Sequence, residues 1–593
     1  MGKKTCNVKI NGTNCQAEEG INLVEACLQQ GIIIPTLCYL KDLNESGACS
    51  VCLVEVKGAK TLLRACVTKV RDGMEIYTDT ERIRRARKVV VELILANHPK
   101  DCLGCEKNQN CDLQRIAYEL GIENIRYPKT RQKDFSIDNS SPSIIRDPNK
   151  CILCGRCIEV CSKIQEVNAI DFIKRGHAMQ VSTFFDGGLG NSECTNCGQC
   201  VLVCPTGALA ENNSIGEVWR VLDDKEQIVI VQTAPAIRAA IGEAFGFNTG
   251  VPTTGKLAAS LRRLGFSKIF DTQFAADLTI IEEGSEFLTR LKNNDKIPTI
   301  TSCSPGWIKF GETFFPGILD NISTCKSPQQ MFGAIAKTYY AQKMNIDPRK
   351  IKIISVMPCT AKKFEALRPE INSAFSFWKD KLALSKKEYF PDVDYVLTTR
   401  ELIRMIKEAG IDYANLADEG FDDPLGVSTG AATIFGASGG VMEAALRSAY
   451  FYLTGTELKD IELNAVRGLS GIKEASLEIA GKKIKVAVAH GLGNARKLMQ
   501  QVARGESPYH FIEIMACPGG CIGGGGQPLP VNDEIRKLRI KALYQEDRSL
   551  AYRRSHQNPA VIKLYSEFLK KPNGHLSHKL LHTHYHKRQP VKI

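Results

Sequence analysis

Cys151-Ile152-Leu153-Cys154-Gly155-Arg156-Cys157-Ile158-Glu159-Val160-Cys161 returns 43 residues further on as Cys194-Thr195-Asn196-Cys197-Gly198-Gln199-Cys200-Val201-Leu202-Val203-Cys204, followed by Pro205. Every cysteine meets its partner at that one offset, so the stretch is an internal duplication of a C-x2-C-x2-C-x3-C run. Around it the chain carries 23 cysteines in 593 residues. A chain this long, 43% apolar and 24% charged, buries its cores without disulfide staples and divides into roughly three to five domains. Met1–Ile10 holds Lys3, Lys4 and Lys9 and no apolar signal core, and Cys6 stands where a myristoylation signal needs Ser or Thr. The longest apolar window, Val89–Ala96, is broken by Glu92 and too short to span a bilayer. The expectation is a cytoplasmic protein, not a membrane protein, whose thiols stay reduced. Reduced cysteines in tight groups point to metal.

The duplicated runs have the spacing of bacterial two-cluster ferredoxins, in which the fourth cysteine of each run serves the other cluster. Cys151, Cys154, Cys157 and Cys204 are then expected to hold one 4Fe–4S cluster, and Cys194, Cys197, Cys200 and Cys161 the other. Ser162 replaces the usual proline after Cys161, which alters a turn and no ligand. Cys38, Cys49, Cys52 and Cys66 form a C-x10-C-x2-C-x13-C group. It is set among strands at Cys6–Ile10, Val51–Val56 and Leu62–Cys66, a turn at Asn11-Gly12 and a helix near Ile21–Gln30. This suits a plant-type 2Fe–2S domain of β-grasp form, with a longer first gap than usual, and resembles the amino terminus of the large iron–sulfur subunits of NADH dehydrogenases. A zinc ribbon is the alternative. His98, Cys102, Cys105 and Cys111 make a third group. Three thiolates and one imidazole can bind zinc or a 4Fe–4S cluster with one histidine ligand.

The formal charge of +13 does not indicate nucleic acid. Residues 551–593 hold nine of the lysines and arginines against the single acid Glu567, with six of the ten histidines. A basic tail of this kind reads as solvated surface. From Gln227 on, apolar β-branched runs alternate with helical stretches. Ile228–Gln232, Lys268–Asp271, Pro298–Thr301, Lys352–Met357, Val393–Thr398, Ile484–Ala489 and Phe511–Met515 read as buried strands of mostly parallel sheets. Ligands bind beyond the carboxyl ends of such strands. Cys303, Cys359, Cys517 and Cys521 lie there, whereas Cys6, Cys15, Cys27 and Cys325 read as ordinary buried thiols.

Three loops carry a specific resemblance: Thr301-Ser302-Cys303-Ser304-Pro305-Gly306-Trp307, then Met357-Pro358-Cys359-Thr360-Ala361-Lys362-Lys363-Phe364-Glu365, then Met515-Ala516-Cys517-Pro518-Gly519-Gly520-Cys521 running on through Gly523–Gly526 to Pro528. With the accessory groups and the stretch Lys563–His586, they resemble the iron-only (FeFe) hydrogenases. The resemblance implies an H-cluster, a 4Fe–4S cubane joined to a diiron centre bearing CO, cyanide and a bridging dithiolate. It implies Cys359, Cys517 and Cys521 as ligands, Cys521 as the bridge, and Cys303 as the last proton relay. The family's next ligand position is a cysteine, and Ser304 stands there, a harder donor than thiolate. Ser304 as an alkoxide ligand, Cys303 recruited as a ligand, and a site without a protein thiolate at that corner are all open.

Glu283 and Glu286, in Ile281-Glu282-Glu283-Gly284-Ser285-Glu286, are spaced to face one path; acids at a helix start are otherwise solvated caps. By the resemblance, Arg290, Glu286, Ser323 and Glu283 lead protons to Cys303. Lys362 pairs with a cyanide ligand, and Ala234, Pro235, Gln329, Met357 and Met515 line the diiron pocket. Gly491-Leu492-Gly493-Asn494-Ala495-Arg496 lacks the third glycine of a dinucleotide fingerprint, and Gly523–Gly526 lacks a P-loop lysine.

The expected chain is a multidomain α+β and α/β protein: a 2Fe–2S domain over 1–80, a 4Fe–4S domain with one histidine and three cysteine ligands over 81–140, a two-cluster domain over 141–215, an α/β hydrogenase catalytic domain over 225–535 and a helical tail over 536–593. One 2Fe–2S and three 4Fe–4S accessory clusters would feed 2H⁺ + 2e⁻ ⇌ H₂. The expected partners are NADH-dehydrogenase-like flavin and iron–sulfur subunits of an NAD(H)-linked, electron-bifurcating complex, or ferredoxin for a monomeric enzyme. A hydrogen-sensing regulatory relative and a nonenzymatic electron-carrier subunit are the competing classes.

Overall fold

The computed structural model describes residues 4–130, 134–459, 461–479 and 481–589. They fall into two compact units, one of Met1–Ile164, Asn168–Ser192 and Val203–Ala210, the other of Gln165–Val167, Glu193–Leu202 and Glu211–Ile593.

The first unit opens with a hairpin of β1 (Thr5–Ile10) and β2 (Thr13–Glu18) across Asn11-Gly12, whose φ values of 50° and 88° suit a tight two-residue turn. Helix α1 (Leu23–Gln29) starts where the Asn22 side chain accepts from Glu25 N–H, and it buries Leu23, Ala26 and Cys27. Strands β3 (Leu53–Val56), β4 (Leu63–Arg64) and β5 (Glu75–Tyr77) complete a sheet of order β2-β1-β5-β3-β4, with β5 parallel to β1 and antiparallel to β3. Helices α2 (Glu81–Ala96) and α3 (Asp112–Glu119) place Val91, Leu113 and Ile116 in one apolar cluster with Leu37, Cys38, Cys49, Val51 and Cys154. A small hairpin, β6 (Asp171–Ile173) with β7 (Gln180–Ser182), follows.

The second unit is built on two four-stranded sheets. Strands β8 (Ile228–Thr233), β9 (Lys268–Asp271), β11 (Ile351–Met357) and β12 (Tyr395–Thr398) form an all-parallel sheet of order β9-β8-β11-β12. Strands β10 (Thr299–Ile300), β13 (Ile472–Ile479), β14 (Lys482–His490) and β15 (Phe511–Met515) form the other, of order β10-β15-β14-β13, with only β13 antiparallel to its neighbour. Each apolar run named above is a strand, with ends displaced by at most two residues. β13 is additional: an edge strand, alternately exposed along its length, with no apolar run to announce it.

Glu283 and Glu286 lie inside the 21-residue helix α4 (Gln273–Asn293), one turn apart, Glu283 being buried and Glu286 half-buried, so the alternative of solvated caps at a helix start falls away. One expectation changes. The basic tail is packed as well as solvated. Val561, Leu564, Leu580 and Leu581 are buried, Arg553 reaches Asp547 at 2.6 Å and Arg588 reaches Glu312 at 2.5 Å. A charge count cannot see that these cations point at buried carboxylates.

Candidate active site

Three strand ends carry the three loops to one place. Beyond β10, β11 and β15, together with Ala234 and Pro235 beyond β8, they line one cavity. Cys303, Ser304, Cys359, Lys362, Cys517 and Cys521 line it, as do Ala234, Pro235, Gln329, Met357 and Met515. Cys197 of the second ferredoxin run reaches the same wall. Lys362 is the only cationic side chain among the lining residues. Burial pushes the Cys359 thiol up, Cys521 up to about 12, and Cys303 and Cys517 well above the ordinary range. Sulfurs so placed become thiolates only by gaining a cationic partner, and coordination to iron supplies one. The donor set therefore fits a thiolate-ligated cluster.

The loops are held by contacts that leave the cavity open. Helix α5 (Pro305–Phe314) begins with Pro305 at its first position and Ser304 as N-cap, yet the Ser304 hydroxyl makes no cap bond. Its oxygen accepts instead from Ala516 N–H at 3.2 Å, on the third loop beside Cys517. Serine ordinarily caps, so this one is turned away from its helix and toward the cysteine loop. Lys362, on helix α6 (Ala361–Ala366), donates to the Cys303 carbonyl at 3.2 Å and to Glu365 at 2.9 Å. The same Glu365 oxygen accepts from Ser327 at 2.8 Å and Gln329 at 3.1 Å. Glu365 and Ser327 escaped the sequence reading; the signal was Glu365 standing three residues after Lys362 in the second loop.

The glycines of the third loop serve close approach. A Cβ on Gly524 would lie 2.1 Å from the Pro358 carbonyl, and one on Gly525 would lie 2.4 Å from the Cys197 carbonyl. Gly526 N–H donates to Pro358 at 2.9 Å, which ties the third loop to the second. Gly491-Leu492 opens the helix Leu492–Ala503, where the Leu492 N–H is taken by the Gln165 side chain at 2.8 Å.

A polar line leads away from Cys303. Ser302, its neighbour, stands 3.5 Å from Glu283. The Glu283 carboxyl is pushed up to about 8, first by burial and then by the charge of Glu286. Ser323 donates to Glu286 at 2.7 Å, and Arg290 donates to the other Glu286 oxygen at 2.6 Å. Arg290 is fixed in turn by the carbonyls of Asn321 and Ile322, at 3.0 and 3.2 Å.

In the first unit, Cys38, Cys49, Cys52 and Cys66 are all buried. Hydrogen bonds from Cys49 and Cys66 hold the Cys38 thiol far below its usual range, and Cys52 and Cys66 lie 3.4 Å apart. Cys151, Cys154, Cys157 and Cys204 line one cavity. Cys194, Cys197 and Cys200 belong to the second unit and Cys161 to the first. His98 follows α2, Cys102 begins a 3-10 turn, and Cys111 precedes α3. Cys102 is exposed; Cys105 and Cys111 are half-buried beside Gly207 and Pro205. The Asn44 amide donates to the carbonyls of Cys38 and Cys154, both at 3.0 Å, joining the first cysteine group to the duplicated one.

Residues 227–525 match the family described as iron only hydrogenase large subunit, C-terminal domain, and 533–588 match iron hydrogenase small subunit. Residues 3–81 match a 2Fe-2S iron-sulfur cluster binding domain, 87–126 the NADH-ubiquinone oxidoreductase-G iron-sulfur binding region, and 150–208 a 4Fe-4S dicluster domain. The NADP-reducing hydrogenase subunit HndD of Solidesulfovibrio fructosivorans is 49% identical over 98% of this chain and 99% of its own. Iron hydrogenase 1 of Clostridium pasteurianum is 40% identical over 98% and 99%. A solved variant of the [FeFe]-hydrogenase HydA1 of Chlamydomonas reinhardtii is 41% identical with a TM-score of 0.56, over 64% of this chain and 100% of that one. Among the described residues no helix is long and apolar enough to cross a membrane.

Proposed function

This chain belongs to the iron-only (FeFe) hydrogenases, and on that premise we propose that it interconverts protons and H₂ in the cavity walled by Cys303, Cys359, Cys517 and Cys521. The observation that carries the reading is the convergence of these buried sulfurs with a polar line of Glu283, Ser323, Glu286 and Arg290 that ends beside Cys303. Cys359, Cys517 and Cys521 would hold the H-cluster, with Ser304 at the fourth corner. When bound, that cluster supplies the electrons and the open iron site at which protons are reduced.

The chain's own residues do the rest. Cys303, its thiol kept neutral by burial, holds a proton at Sγ on the cavity wall. Glu283, protonated at neutral pH, refills it, and Ser323 and Glu286 connect Glu283 to the Arg290 end. Lys362, fixed by Glu365, offers an ammonium to an anionic ligand on the cluster. Met357, Met515, Ala234 and Pro235 keep water out, and Gln329 anchors Glu365.

We assign one 2Fe–2S cluster to Cys38, Cys49, Cys52 and Cys66, and 4Fe–4S clusters to His98 with Cys102, Cys105 and Cys111 and to the two crossed sets of the duplication. The domain limits follow these groups, at 1–80, 81–140, 141–215, 225–535 and 536–593. The full-length likeness to an NADP-reducing hydrogenase subunit favours a nicotinamide-linked complex over a single-chain, ferredoxin-dependent enzyme, and a cytoplasmic location with flavin and iron–sulfur partner subunits is part of the same proposal. Infrared bands of iron-bound CO and cyanide, together with H₂ evolution lost in Cys303→Ala, test the catalytic reading. Their absence from iron-replete protein leaves only an electron carrier. Activity assays of the co-purified complex with NADH and with ferredoxin, separately and together, decide the partner.

A further inference from the structure

We propose that His582, from the C-terminal tail, heads a second proton branch that joins the relay at Glu286 through Thr324. The inference rests on the relay from Glu286 to Cys303 set out above. The tail is locked in register beside that relay. Lys326 N–H donates to the Leu581 carbonyl at 2.8 Å and Thr583 N–H to the Thr324 carbonyl at 2.7 Å, with Cys325 and His582 paired between them. The register sets the His582 ring against α4. Nδ1 lies 2.7 Å from the Thr324 hydroxyl and Nε2 lies 3.2 Å from Glu282. The Thr324 hydroxyl in turn donates to Glu286 at 3.2 Å. One ligand atom each of Glu286, Cys325 and His582 lies within 4.8 Å of the other two, so the ring reaches the relay itself.

With the Thr324 hydroxyl donating to Glu286 and Nδ1 donating to that hydroxyl, one continuous hydrogen-bonded path runs from the ring to Glu286. Glu282 accepts from Tyr565 and from Asn573 N–H, and Nε2 faces the same carboxylate. Burial pushes the Glu282 carboxyl up, but the hydrogen bonds from His582 and Tyr565 outweigh it and hold it low. An ionised Glu282 can only accept, so Nε2 faces it as a donor, while Nδ1 faces the Thr324 hydroxyl. The groups facing the ring are therefore Glu282 and Glu286 from α4, Thr324 and Cys325 from the paired segment, Tyr565 through Glu282, and His578 from the preceding helix, with ring centroids 4.2 Å apart.

Delivery from the protonated ring is a concerted shift. The Nδ1–H bond breaks as a new O–H bond forms on Thr324, and the former Thr324 proton passes to Glu286 Oε1. One proton leaves His582, one arrives on Glu286, and the ring is left neutral; no electrons move. The His582 side chain is 5% exposed, and the ring of the exposed His578 lies 4.2 Å from it, so reloading from solvent would enter by the His578 edge.

The test uses the mature holoenzyme, with H₂ evolution, iron content and the KM for the electron donor measured for wild type, His582→Ala, Thr324→Val and Cys303→Ala. The branch requires His582→Ala to lose roughly fivefold in turnover at unchanged iron and KM. Exogenous imidazole should restore most of that loss. Thr324→Val should lose as much and gain nothing from imidazole, a split that a packing role for the tail does not produce. Wild-type turnover in His582→Ala, with Cys303→Ala inactive, removes the branch and leaves the relay standing. Normal turnover in Cys303→Ala removes both. Where His582→Ala loses iron or fails to fold, Thr324→Val decides, and wild-type turnover there overturns the branch.

Discussion

The Lys362 ammonium and the Glu365 carboxylate lie 2.9 Å apart on successive turns of one short helix, both almost wholly buried. The pair aims the ammonium across the cavity wall toward the Cys303 carbonyl. Removing one member of a buried pair leaves the other charge without compensation, a cost of about 3 kcal/mol or more. Glu365→Ala should therefore lower the thermal midpoint and reduce turnover, whereas Glu365→Gln keeps an acceptor for Ser327 and should be milder in stability. Differential scanning calorimetry beside H₂ evolution separates the two. An unchanged midpoint in Glu365→Ala would show that Lys362 is held by other contacts.

The accessory clusters can be counted in the full chain without its diiron centre. We expect iron and acid-labile sulfide equal to one 2Fe–2S and four 4Fe–4S cubanes, the fourth being the cubane of the catalytic site. EPR of the reduced protein should lose one rhombic 2Fe–2S signal on Cys52→Ser, since Cys52 and Cys66 sit 3.4 Å apart in a buried group. Stoichiometric zinc retained at the Cys38 or the His98 group would refute that part of the assignment.

The strands that place the catalytic cysteines were legible because they are buried on both faces. Ile228–Gln232 and Lys352–Met357 read as buried apolar runs, and the strands Ile228–Thr233 and Ile351–Met357 have the pattern of covered parallel strands. β2 and β13 were not, for the opposite reason. Each is half-exposed, and TNCQAE and IKEASLEI carry their apolar residues too sparsely to announce a strand. Cysteine spacing pointed to the iron–sulfur domains that the family matches bear out, since thiolate clusters need several ligands within a short reach. It could not give Glu365 or the Thr324–His582 contact. Those depend on side chains brought together from 38 and 258 residues away, Glu365 with Ser327 and Thr324 with His582, and no local period encodes such distances. Cys325 read as an inert buried thiol; it is buried, and it also stands beside Glu286 and His582.

Ser304 sets the next test, because its hydroxyl forgoes the helix it caps and accepts from Ala516 at 3.2 Å. If that oxygen completes the cubane, Ser304→Cys should keep the cluster and shift its potential, since thiolate donates more softly to iron. Ser304→Ala should then lower the iron content. If Cys303 ligates instead, Ser304→Ala should be nearly silent and Cys303→Ala should lose the cubane. Iron analysis and EPR of both alanine variants distinguish these cases. Silence in Ser304→Ala with intact iron in Cys303→Ala would exclude both side chains as ligands.

Glu283 fixes the pH dependence. Burial first, and then the charge of Glu286, push its carboxyl up to about 8. Below that value it carries a proton that Cys303 can draw on; above it the carboxylate can only accept. Proton reduction should therefore hold steady up to about pH 8 and decline above it, while H₂ oxidation, which needs an acceptor, should rise through the same range. The folding sign runs the same way. Between the ordinary carboxyl range and about 8 the native protein binds a proton that the unfolded chain has released, so stability falls as pH rises through that window. Glu283→Gln keeps the shape and removes the titration, so it should flatten the stability slope and abolish most turnover at every pH. Stopped-flow or electrochemical rates across the range, set beside thermal midpoints, give both readings. A Glu283→Gln enzyme that keeps wild-type turnover and the same decline near pH 8 would show that another group carries the last proton to Cys303.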